Sequence, residues 1–197
     1  MPNWCENKLR VTGKTENIIK FLESVKETFE NGETTEFSFN KIIPEPKTEA
    51  ECPKQFHFKN LAERKAAHLS EDDDKLWFDW YGFHNAMWGT KWNCSSVHIE
   101  PDTETIKESK LDCVDIYYDT AWAPAQGIMN YLLEHEDEYG LKFEFMFYEP
   151  GCCFMGEYSD EKDYTTEYEA NYDEETDEET YDEETQAFLD RFYNEED

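Results

Sequence analysis

Leu141-Lys142-Phe143-Glu144-Phe145-Met146-Phe147-Tyr148 sets an apolar residue at every odd position and a charged one at 142 and 144. That two-residue period belongs to a strand with one face in a core. Upstream, residues 124–139 read as a helix opened by Pro124, with Ile128, Met129, Leu132 and Leu133 inward and Gly140 at its end. Strands are expected before that helix at 95–100 and 111–120, joined by a turn rich in Asp, Thr and Lys, and a short one follows at 153–158. The N-terminal part repeats the theme. Residues 7–12 alternate, Gly13 stops them, and Thr15 is expected to cap a helix over 16–30. Ile18, Ile19, Phe21, Leu22, Val25 and Phe29 recur along it at helical spacing, and Asn31-Gly32 supplies the stop. Residues 37–42 read as a second strand, ended by Pro44 and Pro46.

Two β-α-β halves in this order predict an α+β, ferredoxin-like β-α-β-β-α-β antiparallel sheet. The strands near 7–12, 37–42, 113–120 and 141–148 should share that sheet, with both long helices on one face. Residues 1–158 are expected to form the domain, interrupted by a helical insertion at about 45–93. Within the insertion, a short helix is expected over 59–69 and another from Ser70-Glu71-Asp72-Asp73, followed by an aromatic stripe of Leu76, Trp77, Trp80, Tyr81, Phe83, Met87 and Trp88.

Five short segments, in this order, carry a resemblance: Asn3-Trp4-Cys5-Glu6-Asn7; Phe39-Asn40-Lys41-Ile42-Ile43-Pro44; Trp88-Gly89-Thr90-Lys91-Trp92-Asn93; Thr120-Ala121-Trp122-Ala123-Pro124; and Tyr148-Glu149-Pro150-Gly151 with Phe154-Met155-Gly156-Glu157. Together they resemble the YubB-type ferredoxin-like family of phages and plasmids, over residues 1–158. The resemblance implies the fold and a mobile-element origin, and it implies no activity.

Charge dominates the rest. The 197 residues include 48 acidic and 18 basic side chains, a formal net charge of −30. Direct binding to DNA or RNA needs Lys and Arg to displace counterions, so the balance speaks against it and against anionic membrane surfaces. A basic, nucleic-acid-handling host protein is the favoured partner. An aromatic content of 16% is too high for a disordered chain, so a core is expected. With no basic start, no apolar leader and no long apolar run, the chain is expected in the cytoplasm of the bacterial host, its six cysteines reduced.

Residues 157–197 hold 19 acidic and 2 basic residues, −17 of the total. Residues 159–197 are therefore expected to form a largely solvated acidic tail, ending in a short helix over 183–193. Phe188, Leu189, Phe192 and Tyr193 share one face of that helix and are able to dock. The tail repeats Asp-Glu-Glu-Thr, and its candidate partner-binding residues are Asp173, Glu174, Glu175, Asp177, Glu178, Glu179, Asp182, Glu183 and Glu184. Either the tail is a solubiliser, or its carboxylates and interleaved tyrosines imitate a nucleic-acid strand and block a basic groove, as an anti-CRISPR-like inhibitor of a defence nuclease would.

Two other classes stay open. Trp4, Trp88, Lys91, Trp92 and Trp122 form either a Trp-lined ligand pocket or a seam of the core. His84 with Asp72, Asp73, Asp74 and Asp79 would serve a hydrolase or nucleotide enzyme, but no nucleophile or orienting group stands at a recognisable spacing. No Cys-x-x-Cys, EF-hand loop or Gly-rich phosphate loop is present, so neither metal, cofactor nor catalytic residues are assigned.

Overall fold

A computed structural model describes residues 2–66, 77–173 and 178–193. Its centre is a six-stranded, wholly antiparallel sheet built from β1 (Trp4–Gly13), β2 (Ser95–Glu100), β3 (Cys113–Ala121), β4 (Leu141–Glu149), β5 (Phe154–Tyr158) and β6 (Asp163–Glu167), in the order β2-β3-β1-β4-β5-β6. The first four strands have the ferredoxin-like arrangement, with β1 paired to both β3 and β4.

The odd residues of β1, Cys5, Asn7, Leu9 and Val11, are buried on one face of the sheet. Val114 and Ile116 of β3 and Phe143, Phe145 and Phe147 of β4 continue that face through the pairing register. Helix α1 (Thr15–Val25) lays Ile18, Phe21, Leu22 and Val25 on it, positions that recur once per turn. Helix α2 (Thr103–Ser109) follows β2 and is capped by Asp102, which accepts from the N–H groups of Glu104 and Thr105. Helix α3 (Gln126–Glu134) adds Ile128, Met129 and Leu132 to the same core, so both long helices cover one face as expected.

The second strand is not where the sequence pattern put it. Phe37 and Phe39 mimic a two-residue period, yet Phe39–Ile42 is a short helix. Both rings are fully buried against Tyr118, and the Phe39 N–H donates to Asn93 Oδ1 rather than to a neighbouring strand. With its backbone satisfied by a side chain, the segment has no need of a sheet, and residues 95–100 take the second-strand position. Helix α1 also stops earlier than residue 30. Lys26 is extended, and Glu27–Thr28 pairs with Thr34–Thr35 in a small hairpin around Asn31-Gly32. Of the expected helix at 59–69, Leu61–Ala66 is helical and residues 59–60 are not, while residues 67–69, the start proposed at 70–73 and Leu76 lie outside the described residues.

The boundary expected after residue 158 falls inside a hairpin, because β6 pairs along β5. The chain then forms a small hairpin of Asn171–Asp173 and Glu178–Thr180 and ends in helix α4 (Glu183–Tyr193). This helix lies on the sheet face opposite α1 and α3. There Phe188, Leu189 and Phe192 bury against Tyr148, Met155 and Tyr168 in a second, smaller core. Polar contacts fix its end: Lys8 Nζ donates to the Arg191 carbonyl at 3.2 Å, and Arg191 pairs with Glu157 at 2.6 Å. Burial pushes the Glu157 carboxyl up, but hydrogen bonds from Lys162, Tyr164 and Arg191 outweigh it and hold the group below the usual range.

If α4 is docked in this way, Phe192→Ala should lower the unfolding free energy by about 3 kcal/mol, as truncation of a buried ring does. Gln186→Ala, on the exposed face, should stay within about 0.5 kcal/mol in the same denaturant titration. Equal, negligible effects would mean an undocked helix.

Candidate functional site

The segments 3–7, 39–44, 88–93 and 120–124 are far apart in sequence but meet at one end of the sheet, where β1 begins and β3 finishes. Hydrogen bonds join them. Asn93 accepts from the Phe39 N–H at 2.8 Å and donates to Ser38 Oγ at 2.8 Å. Trp88 Nε1 donates to the Ile43 carbonyl at 2.9 Å, and Thr90 Oγ1 to the Ala121 carbonyl at 3.1 Å. Asn7 Nδ2 reaches Thr120 Oγ1 at 2.9 Å, and the Trp122 N–H donates to the Asn3 carbonyl at 2.9 Å. Gly89 is required at its place. Its φ is +84°, and a Cβ there would meet the Gln126 backbone nitrogen of α3 at 2.6 Å. At the end of β4, Glu149 is fully buried and accepts from the Cys152 N–H.

The candidate pocket residues divide into two groups on this frame. Trp88 belongs to the core: it is 2% exposed and stacks on His84 with ring centroids 3.8 Å apart. Trp4, Trp92 and Trp122 are on the surface, 41%, 38% and 51% exposed. The Trp4 and Trp92 rings meet at 6.4 Å, and the Lys91 ammonium stands 4.5 Å from the Trp92 ring centre and 5.8 Å from that of Tyr81. Of the four tryptophans grouped by the sequence, Trp4 and Trp92 meet ring to ring, Trp88 packs on Phe39, Phe83 and His84 in the core, and Trp122 is tied to Asn3 through its backbone.

Trp122 has a φ of +74°, the left-handed region that a bulky residue rarely adopts. Such strain persists only where the surroundings enforce it, and it concentrates at functional sites. Here it holds a half-exposed indole beside the start of β1.

His84 is held on both nitrogens. Nδ1 donates to the Lys91 carbonyl at 2.8 Å, and Nε2 meets Glu45 Oε1 at 2.7 Å. Of the acids grouped with it, Asp79 accepts from the Gly82 N–H as a cap, and Asp72, Asp73 and Asp74 lie outside the described residues. His84 therefore carries the turn that presents Lys91 and Trp92. Among the described residues no group of three or more His, Cys, Asp or Glu is placed to hold a metal ion.

For the acidic set, Glu174, Glu175 and Asp177 lie outside the described residues, and Asp173, Glu178 and Glu179 are placed by backbone only. Asp182, Glu183 and Glu184 are exposed at the start of α4. Asp182 also accepts from the Thr185 N–H, which holds its carboxyl below the usual range. A feature the sequence reading passed over is a cleft of about 190 Å³ between the sheet and α4, lined by Lys8, Arg10, Lys162 and Arg191 with Glu144 and Glu157. Its trace in the sequence is Lys8 and Arg10 alternating with Leu9 and Val11 of β1.

Residues 88–189 match the family described as the ferredoxin-like domain in Api92-like protein. The chain belongs to this family. The matched residues run from the Trp88 turn through β2 to β6 and most of α4, so the Api92-like domain includes much of the acidic segment. The chain is also similar to the crystal structure of the protein Api92 from Yersinia pseudotuberculosis, with 8% identity and a TM-score of 0.46, over 87% of this chain and 99% of that one. No curated protein matches the chain. No helix among the described residues is long and apolar enough to cross a membrane.

If the strain at Trp122 serves the exposed ring and not the fold, Trp122→Gly should leave thermal stability unchanged or raise it by about 1 kcal/mol. A loss of more than about 2 kcal/mol would show that the indole is a structural prop.

Proposed function

We propose that this Api92-like protein is a non-catalytic binding protein whose acidic surface docks on a basic, nucleic-acid-handling protein and blocks its groove. The observation that supports this most is the anchoring of the acidic segment. A free acidic tail loses conformational entropy on binding. Here α4 is pinned by Phe188, Leu189 and Phe192, and β6 by its pairing with β5, so carboxylates along them stand at set positions before a partner arrives. On β6, Asp163 and Glu167 are exposed, and on α4 Glu183, Glu184 and Asp190 join them. A preorganised array of this kind is a better substitute for a phosphate backbone than a solvated chain of equal charge. The likeness of the five segments to the YubB-type family supports a mobile-element setting, in which a host defence nuclease is a fitting target and the cytoplasm the place of encounter.

The test is competition with duplex DNA for a basic DNA-binding protein. The protein should displace the duplex, with an apparent affinity that falls steeply as salt rises. Changing the acids at 173–175, 177–179 and 182–184 to Asn or Gln should weaken displacement about tenfold or more while the protein stays folded. Asn is itself a good cap at 182. Displacement insensitive to both salt and these substitutions would overturn the proposal.

A further inference from the structure

Beside the exposed tryptophans stands an arrangement that the acidic segment does not explain. Glu6 and Asp119 face each other directly across β1 and β3. Like charges so placed repel. Neither has a cationic partner among the described residues, and one hydrogen bond, from the Tyr193 hydroxyl to Glu6 Oε2 at 2.8 Å, relieves Glu6. Trp4 precedes Glu6 by two on the same face of β1, and its strand partner Ala121 follows Asp119 by two. The two carboxylates are therefore the next pair along the sheet face from Trp4, whose ring meets that of Trp92.

We propose that Trp4, Trp92 and the Glu6–Asp119 pair form a receptor for the guanidinium of an arginine presented by the basic partner, with Trp122 at its rim. This rests on the binding function proposed above and names the anchor through which the partner is read. Three physical terms converge on that occupant. An indole face is the strongest side-chain π surface for a cation, and a guanidinium stacks on it while its N–H groups reach carboxylates in the same plane. A cation between Glu6 and Asp119 removes their mutual repulsion. A net charge of −30 draws cations to the surface before contact. Lys91 shows within the molecule that Trp92 accepts a cation, since its ammonium already lies over that ring. The incoming guanidinium is therefore left the face of Trp4, and Lys91 acts as a weak competitor that opposes it.

That last point separates an arginine receptor from a site for a neutral stacking ligand or an anion, which Lys91 would help or ignore. The experiment follows the indole N–H resonances of the full chain while N-acetyl-arginine N-methylamide is added, with the uncharged citrulline analogue as control. Saturable shifts are expected at Trp4 and Trp92 with arginine and not with citrulline. Asp119→Asn should weaken the response about tenfold, and Lys91→Met should strengthen it severalfold. Equal shifts with citrulline, a weaker response in Lys91→Met, or no change in Asp119→Asn would each overturn the proposal. The variant neutralised at 173–175, 177–179 and 182–184 keeps the receptor and should respond as the natural chain does. Silent indoles together with salt-sensitive displacement of DNA would reject the receptor and leave the acidic-surface function standing. Responding indoles with no displacement would reject that function alone.

Discussion

Lys8 lies on the central strand with 3% of its side chain exposed, on the sheet face that α1 and α3 leave open. An ammonium removed from water must be matched by charge and hydrogen bonds or the site is strongly destabilised. The match comes from three directions: Asp115 at 3.3 Å, the Arg191 carbonyl at the end of α4, and the Tyr117 ring 5.4 Å from the nitrogen. The carbonyls of a helix's last turn carry partial negative charge, so a buried cation there is doubly favoured. The packing of α4 depends on this. Once Lys8 is covered, Arg10 pairs with both oxygens of Asp115, Arg191 with Glu157, and the apolar face of α4 closes over Tyr148 and Met155. A sheet with helices on one side becomes a three-layer molecule, whose third layer is drawn from the acidic end of the chain.

Strands with a clear two-residue period were legible in the sequence. β1, β3 and β4 fall where the alternation of Leu9–Val11 and Phe143–Phe147 puts them, and α1 and α3 follow from their apolar spacing. The failure at 37–42 has a cause that pattern cannot carry, since Asn93, more than fifty residues on, supplies the hydrogen bond that replaces a strand partner. The acidic end misleads for a different reason. Its composition is that of a solvated tail, and −17 of net charge conceals four positions, Tyr168, Phe188, Leu189 and Phe192, that suffice to bury it. The helical face at 188–193 was visible, but the receiving surface of Tyr148 and Met155 is assembled by the sheet alone.

The candidate site was half legible for a similar reason. Tryptophan-rich segments signal burial or binding, and composition does not separate the two. The fold does so by turning Trp88 inward onto His84 and Phe39 while Trp4, Trp92 and Trp122 stay at the surface. The Glu6–Asp119 pair could not be read from sequence at all, because it exists only in the register between β1 and β3. The proposed binding of a basic partner rests on anchored carboxylates on one part of the surface and on exposed indoles beside the Glu6–Asp119 pair on another.

With α4 docked and β6 paired to β5, the acidic end is part of the folded body. Native-state hydrogen exchange resolved to single amides tests it most directly, since exchange reports local opening. The amides of β6 and of the second half of α4 should be protected and open no more readily than those of the neighbouring strand β5. Exchange of residues 163–167 and 187–193 at the rate of an unstructured chain, with β1, β3 and β4 still protected, would contradict it.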